Sequence, residues 1–403
     1  MLIGQVIDTN SAWMAQELNK AGISIKRKVS VGDNAADIIA ALDQESVHSS
    51  IILITGGLGP TADDITKPLL CKYFGGEMIV NKEALDNVKY LFEVVFKRPM
   101  IPVNLKQAEV PDVCTVIQNK RGTAPGMWFE KEGKVYVSMP GVPHEMKGMI
   151  PGIINKLGEK YSFPAIIHKT LLTAGVGESF LAEMIKDFET ALPENIKLAY
   201  LPAYSMVRLR LSSTGSDKSL VEKEIGKQFE KLKSLVSEYL VTDEDEPLEK
   251  ALGKLLLQSN KTMGTAESCT GGYIAQLITS HPGSSAYFKG SIVAYDNSVK
   301  RSILGVKENS LNEYGAVSEE VVKEMISGCI EKLGVDYALA VSGIMGPDGG
   351  TEQKPVGTVW IAVGSRNLIQ TQKLRLRFDR SRNIQMTAIL ALNSLRKLIT
   401  NEG

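Results

Sequence analysis

Apolar and polar positions along the chain switch between two periods. Ile51–Thr55 (IILIT) is a continuous apolar run ending in glycines, and Thr115–Ile117 and Val135–Ser138 are shorter runs of the same kind, so all three are expected as buried or half-buried strands. Ser11–Ala21 places Trp13, Met14 and Leu18 at helical spacing, and Asn34–Glu45 does the same with Ile38, Ile39 and Leu42. Strands alternating with helices predict a parallel sheet covered by helices over residues 1–165. From 166 to 242 the pattern changes. A strand (IIHKTLLTA) precedes a helix with Phe180, Leu181, Met184, Ile185 and Phe188 on one face. A strand alternating Val207, Leu209 and Leu211 with Arg208 and Arg210 follows, then a charged helix from Lys218 to Tyr239. This reads as a small two-layer α+β module.

The acidic run Asp243–Glu246 closed by Pro247 marks the next boundary, because like charges repel and proline suits a helix's first turn. Residues 243–403 open with an amphipathic helix carrying Leu248, Leu252, Leu255 and Leu256. Strands are expected at Thr262–Ala266, Ser291–Tyr295, Ala338–Ser342 and Thr358–Val363. The predicted fold class is therefore α/β: two three-layer α/β domains, 1–165 and 243–403, joined by a small α+β module at 166–242. No internal repeat or low-complexity tract interrupts it.

Composition narrows the function classes. With 403 residues and 43% hydrophobic content the chain can build more than one core. Lys+Arg and Asp+Glu stand at 46 each, so no global charge points to nucleic acid or to an acidic membrane as partner. Cys71, Cys114, Cys269 and Cys329 lack paired spacing, which argues for a reducing compartment and against a disulfide framework or a zinc knuckle. Asp8 and Asn10 interrupt any leader-like opening, and no uncharged apolar run is long enough to span a bilayer, so a soluble cytoplasmic protein is expected.

Candidate chemistry concentrates at strand ends. Gly264–Gly272 (GTAESCTGG) lies where a strand gives way to a helix, a position that holds Ser268 at the carboxyl edge of a sheet. Neighbouring backbone N–H groups and the positive helix end could stabilise an oxyanion, and Gly271 and Gly272 allow close approach of a substrate. It is not a phosphate-binding P-loop, since no lysine follows the glycines. A tight turn of small polar residues is the bland alternative. The base for such a serine would be a lysine: Lys300 follows Tyr295 by five residues in the first turns of a helix, where the positive end disfavours an ammonium. Lys300 would then be a neutral base and Tyr295 a proton relay, unless Lys300 is an ordinary solvated lysine. Ser342–Gly350 (SGIMGPDGG) is a second glycine-rich loop after an apolar strand, and two such loops make a plausible crevice. Arg380 and Arg382 are available to hold a phosphate, or are simply exposed.

In the first domain, Thr55–Thr66 (TGGLGPTADDIT) follows the strongest strand. Thr55, Gly56, Gly57, Gly59, Thr61, Asp63 and Asp64 form a candidate phosphate or nucleotide site, with Asp64 the candidate ligand for a divalent metal ion. The alternative is a turn made by the glycines, with Thr61 or Asp63 capping the helix. Gly122–Gly126 (GTAPG) and Met139–Met146 (MPGVPHEM) are further turn-rich loops. His144-Glu145 has no second histidine at metal spacing, so zinc is not expected.

The runs AESCTGG, GSSAYFKGSIVAYDN with Lys300 behind it, YGAVSEE and SGIMGPDGGTEQKPVGTVW resemble the C-terminal domain of the CinA family, the nicotinamide-nucleotide amidases, across residues 250–400. The resemblance implies hydrolysis of the carboxamide of nicotinamide mononucleotide to nicotinate mononucleotide and ammonia, with no cofactor. It implies Ser268 as nucleophile, Tyr295 and Lys300 as its activating partners, and Thr270, Gly271, Gly272, Ser284, Ser285, Asn297, Ser342, Gly343 and Arg380 as substrate contacts. GQVIDTNSAWMAQEL, VGDN and the Thr55–Thr66 loop resemble the family's N-terminal domain over residues 1–160. That domain shares the fold of molybdopterin-biosynthesis proteins and is associated with metal-dependent ADP-ribose pyrophosphatase activity. In that family an apolar strand and a turn precede the segment equivalent to LIGQVIDTN. Either the true start lies upstream of Met1, or a strand is lacking and an edge of the sheet is left unpaired. The middle segment resembles the family's KH-type module. Its only counterpart to the nucleic-acid-clamping loop is Ala174-Gly175-Val176-Gly177, so it is expected to be a spacer or a dimer-forming element of a homodimer. The competing reading is a nucleotide-sensing or interaction protein linked to competence or DNA damage, without turnover in the N-terminal domain.

Overall fold

Side-chain caps start the first two helices. The Asp8 carboxylate accepts from the Ser11 amide, and Asn34 accepts from the amides of Ala36 and Asp37. The computed structural model describes residues 4–61 and 63–402. Packing divides the chain into two units, Met1–Ile166 with Thr214–Lys218, and Ile167–Ser213 with Ser219–Gly403.

In the first unit, α1 (Thr9–Lys20), α2 (Ala35–His48), β1 (Ile51–Thr55) and α3 (Thr66–Phe74) are followed by β2 (Met78–Val80), α4 (Lys82–Tyr90) and the short α5 (Pro102–Leu105). Then come β3 (Glu109–Pro111), β4 (Thr115–Ile117), β5 (Gly126–Lys131), β6 (Lys134–Met139) and α6 (Pro143–Lys160). The main sheet has the order β1-β6-β5-β4, and β2 pairs with β3 separately. Among the described residues β1 pairs with β6 in parallel while β5 pairs antiparallel with both β6 and β4, so the parallel sheet expected from the pattern is corrected to a mixed one. The cause is local. Glu132 and Gly133 both adopt positive φ (53° and 74°), the conformation of a two-residue hairpin turn, which reverses β5 directly into β6. Alternation on these strands makes three layers. Trp128, Val135, Val137 and Met139 pack with Met14, Leu18 and Ile150 on one face, while Met127, Phe129 and Tyr136 pack with Ile38, Leu42 and Leu70 on the other. β1 lies at the sheet edge, paired with β6.

The second unit begins with the small module: β7 (Ala165–Ala174), α7 (Glu178–Met184), α8 (Lys186–Thr190), β8 (Ile196–Ala203), β9 (Met206–Gly215), α9 (Lys218–Leu235) and β10 (Leu240–Thr242), with sheet order β10-β7-β9-β8. The single helix expected around Phe180–Phe188 is two. Leu181 and Ile185 are buried while Phe180 is exposed, and the chain breaks between α7 and α8 at Ile185. On β7, Leu171 joins the module's own core with Val207, Leu209 and Leu211, whereas Leu172 and Ala174 on the opposite face join the core of the C-terminal domain. The module is therefore built into that domain's packing, which a simple spacer would not require.

The C-terminal domain contains α10 (Leu248–Gln258), β11 (Met263–Glu267), α11 (Tyr273–Thr279), β12 (Phe288–Val293), α12 (Asn297–Ser302), α13 (Glu308–Tyr314) and α14 (Glu319–Leu333). It closes with β13 (Tyr337–Gly343), β14 (Thr358–Ser365), β15 (Ile369–Arg375) and α15 (Arg380–Glu402). Its sheet order is β12-β11-β13-β14-β15; the first three are parallel and the last two antiparallel. α10, α11 and α15 cover one face and α14 the other. The carboxyl ends of β11, β12 and β13 therefore open at one edge of the sheet. β12 stops at Val293, two residues short of the expected Tyr295. The Ala294 amide makes a last bond to the Glu267 carbonyl, and Asp296 then caps α12 through the Ser298 amide.

Candidate active site

β11 is buried along its whole length and delivers Ser268 to the open edge of the sheet, where the serine amide donates to the Val341 carbonyl of β13 at 3.0 Å. Ser268 retains 8% exposure. The preceding Glu267 is fully buried, and its carboxylate accepts from the amides of Gly272, Ile274 and Ala275 at 3.0, 3.0 and 2.8 Å. This corrects one expectation. The first amides of α11 point at Glu267, so they are not the oxyanion donors the helix end suggested. Glu267 was missed in the sequence because a cap ordinarily sits two or three residues before the amide it satisfies. Here the carboxylate reaches five to eight residues ahead.

Lys300 belongs to the interior: its side chain is 1% exposed, and its Nζ donates to the Tyr295 carbonyl at 3.0 Å. Burial pushes the ammonium below its ordinary range, while Asp296 and Cys269 pull the other way. The sequence offered the helix end as the cause of such a depression; here the cause is burial. Tyr295 is 61% exposed and touches Lys300 through its backbone, not its hydroxyl. The hydroxyl oxygen instead accepts from Arg380 at 2.9 Å, and the other arm of that guanidinium donates to the Gly346 carbonyl at 2.8 Å. Asn383 steadies the same loop by donating to the Met345 carbonyl.

Ser268, Cys269, Tyr295, Asn297, Lys300, Ser342, Gly343 and Arg380 line one cleft of about 230 Å³, with Ala316, Val317 and Met345 as its apolar wall. Ser342 donates to the Ala316 carbonyl at 2.7 Å. Other candidates fall elsewhere. Thr270 turns its hydroxyl inward to Glu267 at 2.7 Å. Gly271 and Gly272 form the left-handed turn behind the serine. Ser284 and Ser285 do not line this cleft. They precede the amino end of β12, and because β11 and β12 are parallel this is the opposite sheet edge from Ser268. Arg382 lies over the Phe378 ring at 4.2 Å.

In the first unit, the loops after β1 and β6 lie side by side: the Gly56 amide donates to the Met139 carbonyl at 3.0 Å, and a Cβ on Gly141 would stand 3.2 Å from Gly56 Cα. Thr55 ends β1, and Gly57 has φ 67° with Thr66 packed against it. Gly59 lies against the Asp64 carboxylate, which accepts from both the amide and the hydroxyl of Thr61. Asp63 is exposed. Asn10 and Asn119, for which the sequence suggested no site role, join this edge with Glu145. Asn10 is buried, donates to the Gly141 carbonyl at 2.8 Å and leaves its own Oδ1 without a partner among the described residues. Asn119 holds Glu145 at 2.6 Å, and burial raises the Glu145 carboxyl. No group of three or more His, Cys, Asp or Glu among the described residues is placed to hold a metal ion.

Ser268 and the desolvated Lys300 thus share a cleft at the carboxyl ends of the parallel strands β11, β12 and β13, in a chain built from a glycine-looped α/β unit, a small α+β module and a second α/β domain. Residues 1–159 match the family described as "Probable molybdopterin binding domain", 168–242 the "Damage-inducible protein CinA KH domain", and 245–399 the "CinA C-terminal domain". A CinA-like protein of Cytophaga hutchinsonii is 47% identical over 398 residues, covering 98% of this chain and 95% of its own. A second, from Flavobacterium psychrophilum, is 46% identical over 401 residues, covering 99% and 96%. The solved competence/damage inducible protein CihA from Agrobacterium tumefaciens aligns at 35% identity with a TM-score of 0.36, covering 37% of this chain and 94% of its own. The chain belongs to the CinA family.

Proposed function

We propose that the C-terminal domain hydrolyses the carboxamide of nicotinamide mononucleotide to nicotinate mononucleotide and ammonia. The observation that carries this reading is the shared cleft of Ser268 and the buried Lys300, with Arg380 in its wall as the cation for the substrate phosphate. Neutral Lys300 takes the Ser268 hydroxyl proton as Oγ attacks the amide carbon. The C–N bond breaks as Lys300 returns that proton to the leaving nitrogen, so ammonia departs and an ester remains on Ser268. Water, deprotonated by Lys300, cleaves the ester to the acid and restores the serine. The sequence needs no cofactor. The test is to quench the reaction with nicotinamide mononucleotide early and look by mass spectrometry for the nicotinate-mononucleotide ester on the Ser268 peptide.

For the first unit we infer nucleotide binding through the Thr55–Thr66 loop, supported by the close-set glycine loops and the unpartnered Asn10 Oδ1. Only Oδ2 of Asp64 accepts from Thr61, so the carboxylate keeps an oxygen with which to hold a divalent ion beside a bound phosphate. ADP-ribose is then either bound without turnover or cleaved at its pyrophosphate with the help of that ion. Titration calorimetry with ADP-ribose, followed by analysis of the recovered ligand, separates the two. The four cysteines are free, which supports a cytoplasmic setting, and no helix among the described residues is long and apolar enough to cross a membrane.

A further inference from the structure

Glu267 immediately precedes the nucleophile yet takes no part in the cleft lining. Its side chain points back beneath the turn, where Oε2 accepts from Thr270 Oγ1 (2.7 Å) and the amides of Gly272 and Ile274 (both 3.0 Å). Oε1 accepts from the Ala275 amide (2.8 Å) and from the hydroxyls of Thr265 and Ser291 (both 3.3 Å). These six donors come from β11, the turn, α11 and β12, and all are neutral. A fully buried carboxylate is tolerated only when its oxygens are satisfied in this way.

The turn has little else to define it. Gly271 and Gly272 adopt successive left-handed conformations (φ 61° and 97°), which opens a concavity of amides of the kind that binds phosphate in other proteins. Here the chain fills that concavity with its own anion. A substrate phosphate is thereby excluded from the glycine-rich turn and is left to Arg380.

We infer that Glu267 is the positioning residue of Ser268: its carboxylate ties the turn Ser268–Gly272 to α11 and β12, so that the hydroxyl keeps its place beside Lys300. This inference rests on Ser268 being the nucleophile proposed above. Glu267→Gln is nearly isosteric but cannot reproduce the arrangement. Its carbonyl can serve the three donors of Oε2. Its amide nitrogen would then face the Ala275 N–H, donor against donor, although the two hydroxyls can rotate to accept.

The test uses the full chain and two readouts, steady-state hydrolysis of nicotinamide mononucleotide and the rate at which a fluorophosphonate labels Ser268. Glu267→Gln is expected to lower kcat about 100-fold, the scale of a small misplacement of a reacting group, with KM within about threefold and labelling slowed in parallel. Should that variant not fold, Ser291→Ala removes one donor and leaves the carboxylate. It is expected to lower kcat and labelling several-fold at unchanged KM. Folded Glu267→Gln with wild-type kcat and labelling overturns the inference, as does a rise in KM alone. If the wild type does not hydrolyse this substrate, labelling decides. Slower labelling in the variants upholds the role of Glu267 and discards the substrate, whereas a wild type unlabelled at Ser268 discards both.

Discussion

In the proposed reaction Lys300 must be neutral to accept a proton, and its burial favours the neutral form. Burial lowers its pKa below the ordinary 10.5, so kcat/KM is expected to rise with pH along an acid limb whose midpoint lies below 10.5. Lys300→Arg should remove that limb and cost about 10²–10⁴-fold in rate, since arginine stays protonated. A limb centred at or above 10.5 would contradict the assignment. The sign for stability is opposite to that of an ion-paired lysine. Below 10.5 the unfolded chain binds this proton more readily than the folded one, so folding is penalised there and the penalty fades as pH rises. Lys300→Met should therefore melt higher than wild type at pH 7 while being inactive. An unchanged or lower melting temperature would show that burial imposes no such cost. At this scale the strand-end loops and their spacing pointed to Ser268, Lys300, Ser342 and Arg380, and these four line one cleft. Glu267 was not legible, because its partners lie up to twenty-four residues away and in a direction that no local pattern records.

Elements were read best where they are apolar throughout. β1 and β13 are near-continuous apolar runs and were expected within a residue or two; the half-exposed β8 and the polar-rich β15 carried no such signal. Antiparallel pairing was equally hidden, since a tight turn such as Glu132-Gly133 is decided by backbone angles. Packing between elements supplies a test in which two local effects compete. Gly328 lies inside α14, where alanine is intrinsically favoured over glycine by about 1 kcal/mol. A Cβ there would stand 1.9 Å from the Leu304 carbonyl oxygen, behind the helix that carries Lys300. The clash should win. Gly328→Ala is expected to destabilise by about 1–3 kcal/mol in denaturant unfolding, and a stabilised variant would show that the contact relaxes freely. Leu172 tests the module's attachment. It is buried in the C-terminal domain's core, so Leu172→Ala should cost about 2–5 kcal/mol and lower the unfolding midpoint of that domain, although Leu172 belongs to β7 of the module.

Across the whole molecule, balanced charge and unpaired cysteines excluded more than they identified, and the division into regions was legible mainly from the acidic run before Pro247. The two candidate sites belong to separate units with separate cores. Gly57→Val, which places a branched side chain at φ 67° against Thr66, should weaken ADP-ribose binding at least about tenfold and leave amide hydrolysis unchanged. Loss of both would indicate that the units act together.

The most direct measurement is ammonia release from nicotinamide mononucleotide by the full chain and by its Ser268→Ala variant, each checked for folding. One ammonia per nucleotide converted by the wild type, and a rate lower by about 10³-fold or more in the variant, is the expected result. An undiminished rate in Ser268→Ala, or no ammonia from the wild type, would contradict the proposed amidase.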